Sequence, residues 1–186
     1  MRIIAGSARG RVFDAPKGME TRPTLDRVRE NVFNILQMKV RGAQVLDLFS
    51  GSGAMAFEAI SRGAERAVMV DCDRQAHLVQ RQNAQKLQMA ERCMILLSDW
   101  KQAVSQLAAR NASFDVVILD PPYAMHDMNP VMEALRPLLK ENAVILLEHE
   151  ARIFPATPDG FELYDSRKYG VAGVSFFRLW KTGEEI

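Results

Sequence analysis

The sequence predicts an α/β fold built on a mostly parallel sheet of about seven strands, with an antiparallel last strand and helices on both faces. Two observations carry this prediction. From Gln44 onward, short apolar runs alternate with amphipathic stretches of helical length, which is the pattern of βαβ units. The last two apolar runs, near Phe161 and Val174, have no helical stretch between them, so they can pair antiparallel at one edge of the sheet.

The apolar runs from Gln44 onward have the length and composition of strands that are buried on both faces of a sheet. The predicted strands are 45–49, 67–70, 94–97, 116–119 and 143–147, followed by 161–164 and 174–180 in the tail. The predicted helices between them are roughly 53–62, 74–88, 101–110 and 128–140. Parallel strands joined by helices imply right-handed crossovers.

Two smaller elements precede the sheet. Apolar residues recur at helical spacing from Leu25 to Ile35, with Thr24 as the predicted N-cap after Pro23. Further upstream, segments 2–4 and 11–13 flank two glycines, which predicts a small β-hairpin. We therefore divide the chain into a basic extension, residues 1–21, and a main domain, residues 22–186.

Composition bounds the classes of protein that this chain can represent. Of its 186 residues, 48% are hydrophobic and 25% charged, which predicts one globular domain with a sizeable core. The apolar runs are too short to span a bilayer, and the N-terminus lacks the apolar segment of a signal peptide. Two cysteines form neither a disulfide framework nor a zinc cluster. We therefore expect a reduced, cytoplasmic protein that has no membrane partner.

Charge is distributed unevenly along the chain. Residues 1–43 carry nine Lys or Arg and four Asp or Glu, a net +5, so the remainder sums to −4 because the whole chain carries +1. A basic N-terminal segment on a mildly acidic body indicates a polyanionic partner such as nucleic acid, and the alternative is a solvated charged segment. The candidate phosphate contacts are Arg9, Arg11, Arg22, Arg27 and Arg29.

A glycine-rich turn follows the first predicted strand. The turn runs from Asp47 through Phe49, Ser50, Gly51 and Ser52 to Gly53, where a helix opens. Glycines at such a turn allow a ligand to approach the backbone closely, so the turn is a candidate nucleotide-binding element. The third glycine of a dinucleotide fingerprint is missing, and the alternative is a tight turn that packs helix on strand.

Acidic residues follow the second and third predicted strands. Asp71, followed by Cys72, lies 24 residues after Asp47, a spacing that suits an acceptor for ribose hydroxyls. Asp73 fits better as the cap of the next helix. Asp99, with Trp100 beside it, can accept from an adenine amino group or can cap the following helix, and both interpretations stay open.

The tetrapeptide Asp120-Pro121-Pro122-Tyr123 follows the strand predicted at 116–119. The prolines stiffen the turn and lack N–H groups, so carbonyl oxygens point outward without backbone partners. Asp120 and Pro121 can then accept hydrogen bonds from a planar NH2 group while Tyr123 stacks on its ring. This arrangement predicts a clamp for an aromatic amine at the end of a strand, where open α/β sheets bind ligands.

Taken together, the turn, the strand-end acids and the tetrapeptide resemble the class I S-adenosylmethionine-dependent methyltransferases and their Rossmann-like fold. The resemblance implies that residues 47–53 form the cofactor loop, that Asp71 binds ribose with Cys72 beside it, and that Asp99 and Trp100 contact adenine. It also implies that residues 120–123 are the signature of amino-group methylation, with Asp120 touching the cofactor as well. The implied product is S-adenosylhomocysteine, and no metal is implied.

A narrower resemblance covers nearly the whole chain. The segments 21–30, 47–53, 120–123 and 168–170 are similar to the RsmD family, whose members methylate guanine N2 in bacterial small-subunit ribosomal RNA. It implies RNA contacts around Arg22 and Thr24, and a monomer that acts on ribosomal RNA, either naked or in an assembled small subunit. Some of the arginines can instead meet the cofactor carboxylate.

Three other functions stay open at this point. An adenine-N6 methyltransferase acting on DNA or RNA shares the tetrapeptide, although a DNA enzyme would need a recognition domain for which the chain has no room. A catalytically silent cofactor- or RNA-binding protein would not need an amine clamp. A nicotinamide oxidoreductase is disfavoured by the missing third glycine.

Overall fold

The computed structural model describes residues 1–16, 23–122, 124–125 and 127–180, and of residues 23–25 the backbone only. Within these residues the strands are β1 (Gln44–Asp47), β2 (Arg66–Asp71), β3 (Cys93–Leu97), β4 (Phe114–Leu119), β5 (Leu139–Glu150), β6 (Phe161–Tyr169) and β7 (Ala172–Leu179). The α-helices are α1 (Pro23–Ile35), α2 (Gln37–Val40), α3 (Ala54–Ser61), α4 (Arg74–Lys86), α5 (Trp100–Ala109) and α6 (Asn129–Leu135).

The strands form one seven-stranded sheet in the order β3-β2-β1-β4-β5-β7-β6. Strands β1 to β5 are parallel, and β7 lies antiparallel between β5 and β6. The predicted mostly parallel sheet with an antiparallel last strand is confirmed. The strand order reverses between β1 and β4, since β2 lies on one side of this pair and β5 on the other. Such a switch point leaves a crevice at the carboxyl ends of the two central strands.

Apolar side chains cover the sheet on both faces, as the strand pattern requires. One buried cluster packs α1, α3 and α4 against alternate strand residues such as Val45, Ile118 and Leu146. The other packs α5 and α6 against the intervening residues, among them Val117 and Ile145. The predicted helices on both faces are confirmed. Among the described residues, no helix is long and apolar enough to cross a membrane.

The predicted N-terminal hairpin forms through a single antiparallel bridge between Arg2 and Val12. The buried residues Ile3 and Phe13 belong to the cluster that covers the sheet, and the Phe13 ring meets Phe57 edge to face at 5.8 Å. The hairpin is therefore packed into the core of the main domain. The boundary that we predicted between residues 21 and 22 lies outside the described residues.

Several predicted element boundaries were wrong. Strand β5 runs from Leu139 to Glu150 and is therefore longer at both ends than the predicted 143–147. The helix predicted to reach residue 140 ends at Leu135, and a 3₁₀ turn then leads into β5. Pro137 explains this end, because proline has no N–H to continue the helical hydrogen bonds. Helix α1 begins at Pro23, so Thr24 lies in its first turn and is not the N-cap. Strand β6 continues to Tyr169, beyond the predicted end at residue 164.

Candidate active site

The glycine-rich turn joins β1 to α3 and has a backbone that only glycine adopts easily. Gly51 and Gly53 have φ angles of +50° and +79°, in the left-handed region. A Cβ atom added at Gly53 would lie 2.7 Å from Cε2 of Phe57. The glycines therefore allow both the conformation of the turn and its close packing on α3. Such packing was the alternative to nucleotide binding in the sequence analysis.

Side chains from two neighbouring elements hold this turn in place. The Gly51 N–H donates to Oδ2 of Asp71 at 2.8 Å, and the Ser50 hydroxyl donates to the Val70 carbonyl at 2.9 Å. From α4, Nε2 of Gln80 donates to the Gly51 carbonyl at 2.7 Å and to the Ser50 hydroxyl at 3.0 Å. The turn is therefore fixed before any ligand arrives.

Sequence reasoning missed Gln80, which is fully buried. The signal was present, because Gln80 stands one helical turn from Ala76 on one side and Ala84 on the other, on the apolar side of α4. A polar side chain on a buried helix face needs a hydrogen-bond partner. Here the partners are the turn atoms themselves.

Three acidic residues follow β2 and β3, and two of them cap the helix that comes next. Asp73 caps α4 by accepting from the Gln75 N–H at 2.7 Å, so its predicted capping role is confirmed. Asp99 caps α5 through Oδ1, which accepts from the N–H groups of Lys101 and Gln102. Asp71 accepts from Gly51 with one oxygen and from the Asp73 N–H with the other. The ribose role of Asp71 and the adenine role of Asp99 stay predictions.

The neighbours of these acids in the predicted cofactor site have different exposure. Cys72 is exposed and lies next to Asp71 in the chain. Trp100 is half-buried at the start of α5, with the Lys101 ammonium 5.5 Å from its ring centroid. Phe49 is half-buried against the second apolar cluster, and Ser52 is buried in the turn. Their predicted contacts with a cofactor stay predictions.

Three carboxyl groups come together at the carboxyl ends of the central strands. Asp47 ends β1, Asp120 follows β4, and Glu148 lies near the end of β5, one position beyond the parallel pair Leu119 and Leu147. Side chains alternate between sheet faces along a strand, so each of the three points to the face that also carries Val45, Ile118 and Leu146. The fold thus gathers acids that are far apart in the sequence.

Burial and mutual repulsion favour the protonated forms of these acids. Desolvation first, then the charge of Asp120, raises the pKa of Asp47 to about 8, and a hydrogen bond from the Ala56 backbone opposes the rise. The same two causes raise the pKa of Glu148 to about 8. Asp120 keeps an exposed surface, but protein surrounding its carboxyl replaces much of the water, and this desolvation raises its pKa to about 6.

One oxygen atom of these carboxyl groups is buried without a hydrogen-bond partner among the described residues. Asp47 is 1% exposed, and its Oδ2 atom has no hydrogen-bond partner among the described residues. An unpartnered buried carboxylate oxygen costs free energy unless something else satisfies it. Strongly perturbed acids in a crevice are a common mark of a functional site.

Beside the acids, an open pocket lies between the segment after β4 and the segment after β5. Its lining includes Asp120, Pro121, Pro122 and Glu148, together with apolar side chains such as Met125 and Ile153. Acceptor groups in an apolar setting suit a planar ligand that carries N–H groups. Tyr123, the predicted stacking residue of the clamp, lies outside the described residues.

The predicted phosphate contacts occupy different environments. Arg9 and Arg27 are exposed, and Arg11 is exposed while its Nη1 donates to the Leu87 carbonyl at 3.0 Å. Arg22 and the Thr24 side chain lie outside the described atoms.

The prediction that Arg29 contacts phosphate was wrong. Its side chain is only 5% exposed, and Nη2 donates to Oδ1 of Asp26 at 3.0 Å and to the Arg2 carbonyl at 2.8 Å. The hairpin covers this guanidinium, so Arg29 holds the extension on the domain and does not present its charge to a nucleic acid.

Comparisons with known proteins agree with this arrangement. The family model described as Conserved hypothetical protein 95 matches residues 1–178. Ribosomal RNA small subunit methyltransferase D of Escherichia coli (strain K12) is 34% identical over 184 residues, which span 97% of this chain and 89% of that protein. The solved structure of yhhF from Escherichia coli matches with a TM-score of 0.85 at 28% identity, covering 96% of this chain and 97% of that one.

A more distant structure, SMU.776, was solved in complex with SAH. It is 16% identical, has a TM-score of 0.70, and covers 81% of this chain and 49% of its own, so this likeness concerns the fold. The family match, by contrast, spans almost all of the chain, including the glycine-rich turn at 47–53 and the tetrapeptide at 120–123. This chain therefore belongs to the family of that model, the RsmD family that its sequence resembles, and it is a methyltransferase.

Proposed function

We propose that this protein transfers a methyl group from S-adenosylmethionine to the exocyclic N2 amine of a guanine in small-subunit ribosomal RNA. The observation that carries the proposal is the Asp120 carboxyl, which lies at the end of β4 directly before two prolines and on the wall of the pocket. The name of the Escherichia coli relative, a methyltransferase of the ribosomal small subunit, supports the substrate class.

The residues of the crevice fit a positively charged methyl donor. The unpartnered Oδ2 of Asp47 and the mutual repulsion of Asp47, Asp120 and Glu148 are both relieved by a cation. When bound, S-adenosylmethionine supplies an electrophilic methyl group on a positively charged sulfur. The residues that would hold this cofactor are the turn Phe49, Ser50, Gly51, Ser52 and Gly53, with Asp47, Asp71, Cys72, Asp99, Trp100 and Asp120.

The clamp at the end of β4 acts on the amine. An aromatic NH2 is a poor nucleophile because its lone pair is delocalised into the ring. The Asp120 carboxylate and the Pro121 carbonyl accept its two N–H groups, which favours a pyramidal nitrogen and aims the lone pair. Pro122 restricts the turn that carries these acceptors. Tyr123 stacks on the base, an interaction worth about 1–3 kcal/mol.

Asp120 also receives the proton that the amine loses when it is methylated. Desolvation raises the pKa of Asp120 to about 6, so the carboxylate is a stronger base than an ordinary aspartate. The group is still largely ionised at neutral pH. Positioning and orientation of the amine supply the rest of the rate acceleration.

The RNA is held outside the pocket by positive charge. A base inside a helix cannot reach the pocket, so the target guanine leaves its stack. Arg22 and Arg27, with Thr24, contact the phosphates around it. Arg9 and Arg11 contact phosphates farther along the RNA, because the hairpin packs on the C-terminal ends of α3 and α4. Such contacts position the RNA without reading its sequence. We place the reaction in the cytoplasm, on naked ribosomal RNA or an assembled small subunit, with the protein acting as a monomer that needs no metal.

The test is transfer of a labelled methyl group to ribosomal RNA and to small-subunit particles from a strain that lacks this protein, followed by identification of the modified nucleoside. The proposal expects N2-methylguanosine on one of these substrates. N6-methyladenosine as the product would overturn it in favour of the adenine-N6 alternative. Thermal stabilisation by S-adenosylhomocysteine but not by NAD is expected, and the reverse would indicate an oxidoreductase.

A further inference from the structure

The pocket presents two acceptor groups side by side, not one. Asp120 and Glu148 follow the parallel pair Leu119 and Leu147 in neighbouring strands, and both line the same pocket. Neighbouring residues of parallel strands that have the same register point to the same face. The clamp on the amine is thus flanked by a second carboxyl, which the motif after β4 does not contain.

Neither carboxyl is bound by another of the described residues. In the part of the chain that the structure describes, no hydrogen bond or ion pair reaches the side chain of Asp120 or Glu148. Glu150, two residues on, differs because its carboxylate binds Nε of Arg152 at 2.7 Å. The charge of Asp120 raises the pKa of Glu148, so the two carboxyls are close enough to interact. Both therefore have acceptor atoms free for a ligand.

The amino-bearing bases differ in what they offer beside the amine. Guanine has the N1–H donor next to its N2 amine, so its edge shows a row of donors. Adenine and cytosine have an unprotonated ring nitrogen next to their amines, which is an acceptor. Two adjacent acceptors in the protein complement only the first pattern, and they repel a ring lone pair in the second.

We propose that Glu148 is the specificity-determining residue of this site, and that its carboxylate accepts the N1–H of the guanine whose N2 amine is held by Asp120. The inference rests on the proposed function. It explains how one strand-end motif, shared with enzymes that act on adenine, selects guanine in this chain: the base is chosen at the end of β5, and the amine is activated at the end of β4.

The experiment uses 2-aminopurine, which keeps the amine of guanine but has a lone pair at N1. Small-subunit RNA, naked or reconstituted into particles, carries guanine or 2-aminopurine at the methylated position. The kcat/KM value is measured for both at a pH above the raised pKa of Glu148, about 8, so that this side chain is a carboxylate. We expect the parent protein to prefer guanine by about 10–100-fold, since a hydrogen bond to a charged group is worth about 1.5–3 kcal/mol. A parent protein that methylates both bases equally well overturns the inference without any variant.

The variant Glu148→Gln sharpens the test. Its amide can donate to the lone pair of 2-aminopurine, so activity on guanine falls about tenfold or more while the preference for guanine collapses. The matched control is Glu141→Gln, at the other end of β5, which keeps both activity and preference. A Glu148→Gln protein that retains the parent preference contradicts the inference.

The failure of the inference and the failure of the proposed function give different results. If the parent protein transfers no methyl group to guanine N2, the proposed function itself is wrong. If the parent produces N2-methylguanosine but Glu148→Gln leaves the ratio between the two bases unchanged, only the role of Glu148 is wrong. Binding of S-adenosylhomocysteine by the variant, measured calorimetrically, shows that its crevice is intact.

Discussion

Two fully buried carboxyl groups, Glu58 in α3 and Asp47 at the end of β1, are treated in opposite ways by the same fold. Glu58 is 0% exposed and accepts from the N–H groups of Ile4 and Ala5 at 2.8 and 3.0 Å, and from Nε of Arg62 at 2.7 Å. Asp47 is 1% exposed, and one of its oxygens has no partner among the described residues.

The difference separates a structural charge from a functional one. The partners of Glu58 come from the hairpin and from its own helix, so this carboxylate fastens the extension to the domain. The neighbours of Asp47 include further acids, and their repulsion adds to the effect of burial in raising its pKa. Loss of one partner of a paired buried charge destabilises a fold, whereas a buried charge left unpaired is tolerated where a ligand completes it.

The largest effect is expected from removing the structural charge. Glu58→Ala leaves Nε of Arg62 and two backbone N–H groups without this acceptor, and it removes a carboxylate that lies 3.9 Å from Nε of the buried Arg29, so the free energy of unfolding should fall by about 3–5 kcal/mol. Urea denaturation measures this loss. Glu141→Ala, an exposed change on β5, should stay within about 0.5 kcal/mol of the parent. A loss below about 1 kcal/mol for Glu58→Ala would show that the hairpin is not held in this way.

The next largest effect is a loss of methyl-transfer activity that leaves the stability of the fold unchanged. Asp120→Ala removes an acceptor of the amine and the group that receives its proton, so the transfer rate should fall by about 100-fold or more. Binding of S-adenosylhomocysteine should change only slightly, and folding should be unimpaired because a repelling charge is lost. Asp159→Ala, an exposed change far along the chain, serves as the control. Full activity in Asp120→Ala would show that Asp120 does not hold the amine or accept its proton.

Replacement of Asp47 is expected to change the free energy of unfolding by a smaller amount than replacement of Glu58, and to raise it. Its folded-state pKa of about 8 exceeds the unfolded value near 4, so the unfolded chain releases this proton first as the pH rises. The carboxyl therefore lowers the stability progressively between those two values. In Asp47→Asn this loss is absent.

Thermal and urea unfolding at pH 5 and pH 8 measure the effect. The stability advantage of Asp47→Asn over the parent should grow between these pH values by at least about 1.4 kcal/mol, the equivalent of one pKa unit. Affinity for S-adenosylmethionine should fall in the same variant. An advantage that does not change with pH would mean that Asp47 is ionised in the folded protein without cost.

The smallest effect tests whether the anchored hairpin presents its charge to RNA. Replacing Arg9 and Arg11 together by Gln should lower the slope of log K against log salt concentration by about 1–2, because each phosphate contact contributes roughly 0.7–0.9. Arg110→Gln, an exposed change at the end of α5 on the other face of the sheet, should leave the slope unchanged. An equal slope in the double variant would dismiss the hairpin as a nucleic-acid contact.

The sequence was sufficient to predict the features of the fold that depend on local pattern. The alternation of apolar runs and helices predicted the sheet. The acceptor roles that the prolines suggest for Asp120 and Pro121 stay predictions. Asp73 was predicted as a cap because a cap is defined by its position before a helix.

What could not be predicted depends on contacts between distant segments. Glu58 meets the hairpin 54 residues upstream, and Gln80 reaches the glycine turn 29 residues away. Arg29 was assigned to phosphate because nothing local shows that the hairpin covers it. Glu148 lies at a strand end that carries no motif, and only the register between β4 and β5 brings it beside Asp120.

The reversal of strand order between β1 and β4 gives the crevice two independent walls. The turns after β1, β2 and β3 lie on one side, and the segments after β4 and β5 lie on the other. If the methyl donor occupies the first side and the acceptor base the second, the two can change separately in evolution. Redesign of this protein for another amine would then leave residues 47–99 untouched and concentrate on the ends of two adjacent strands.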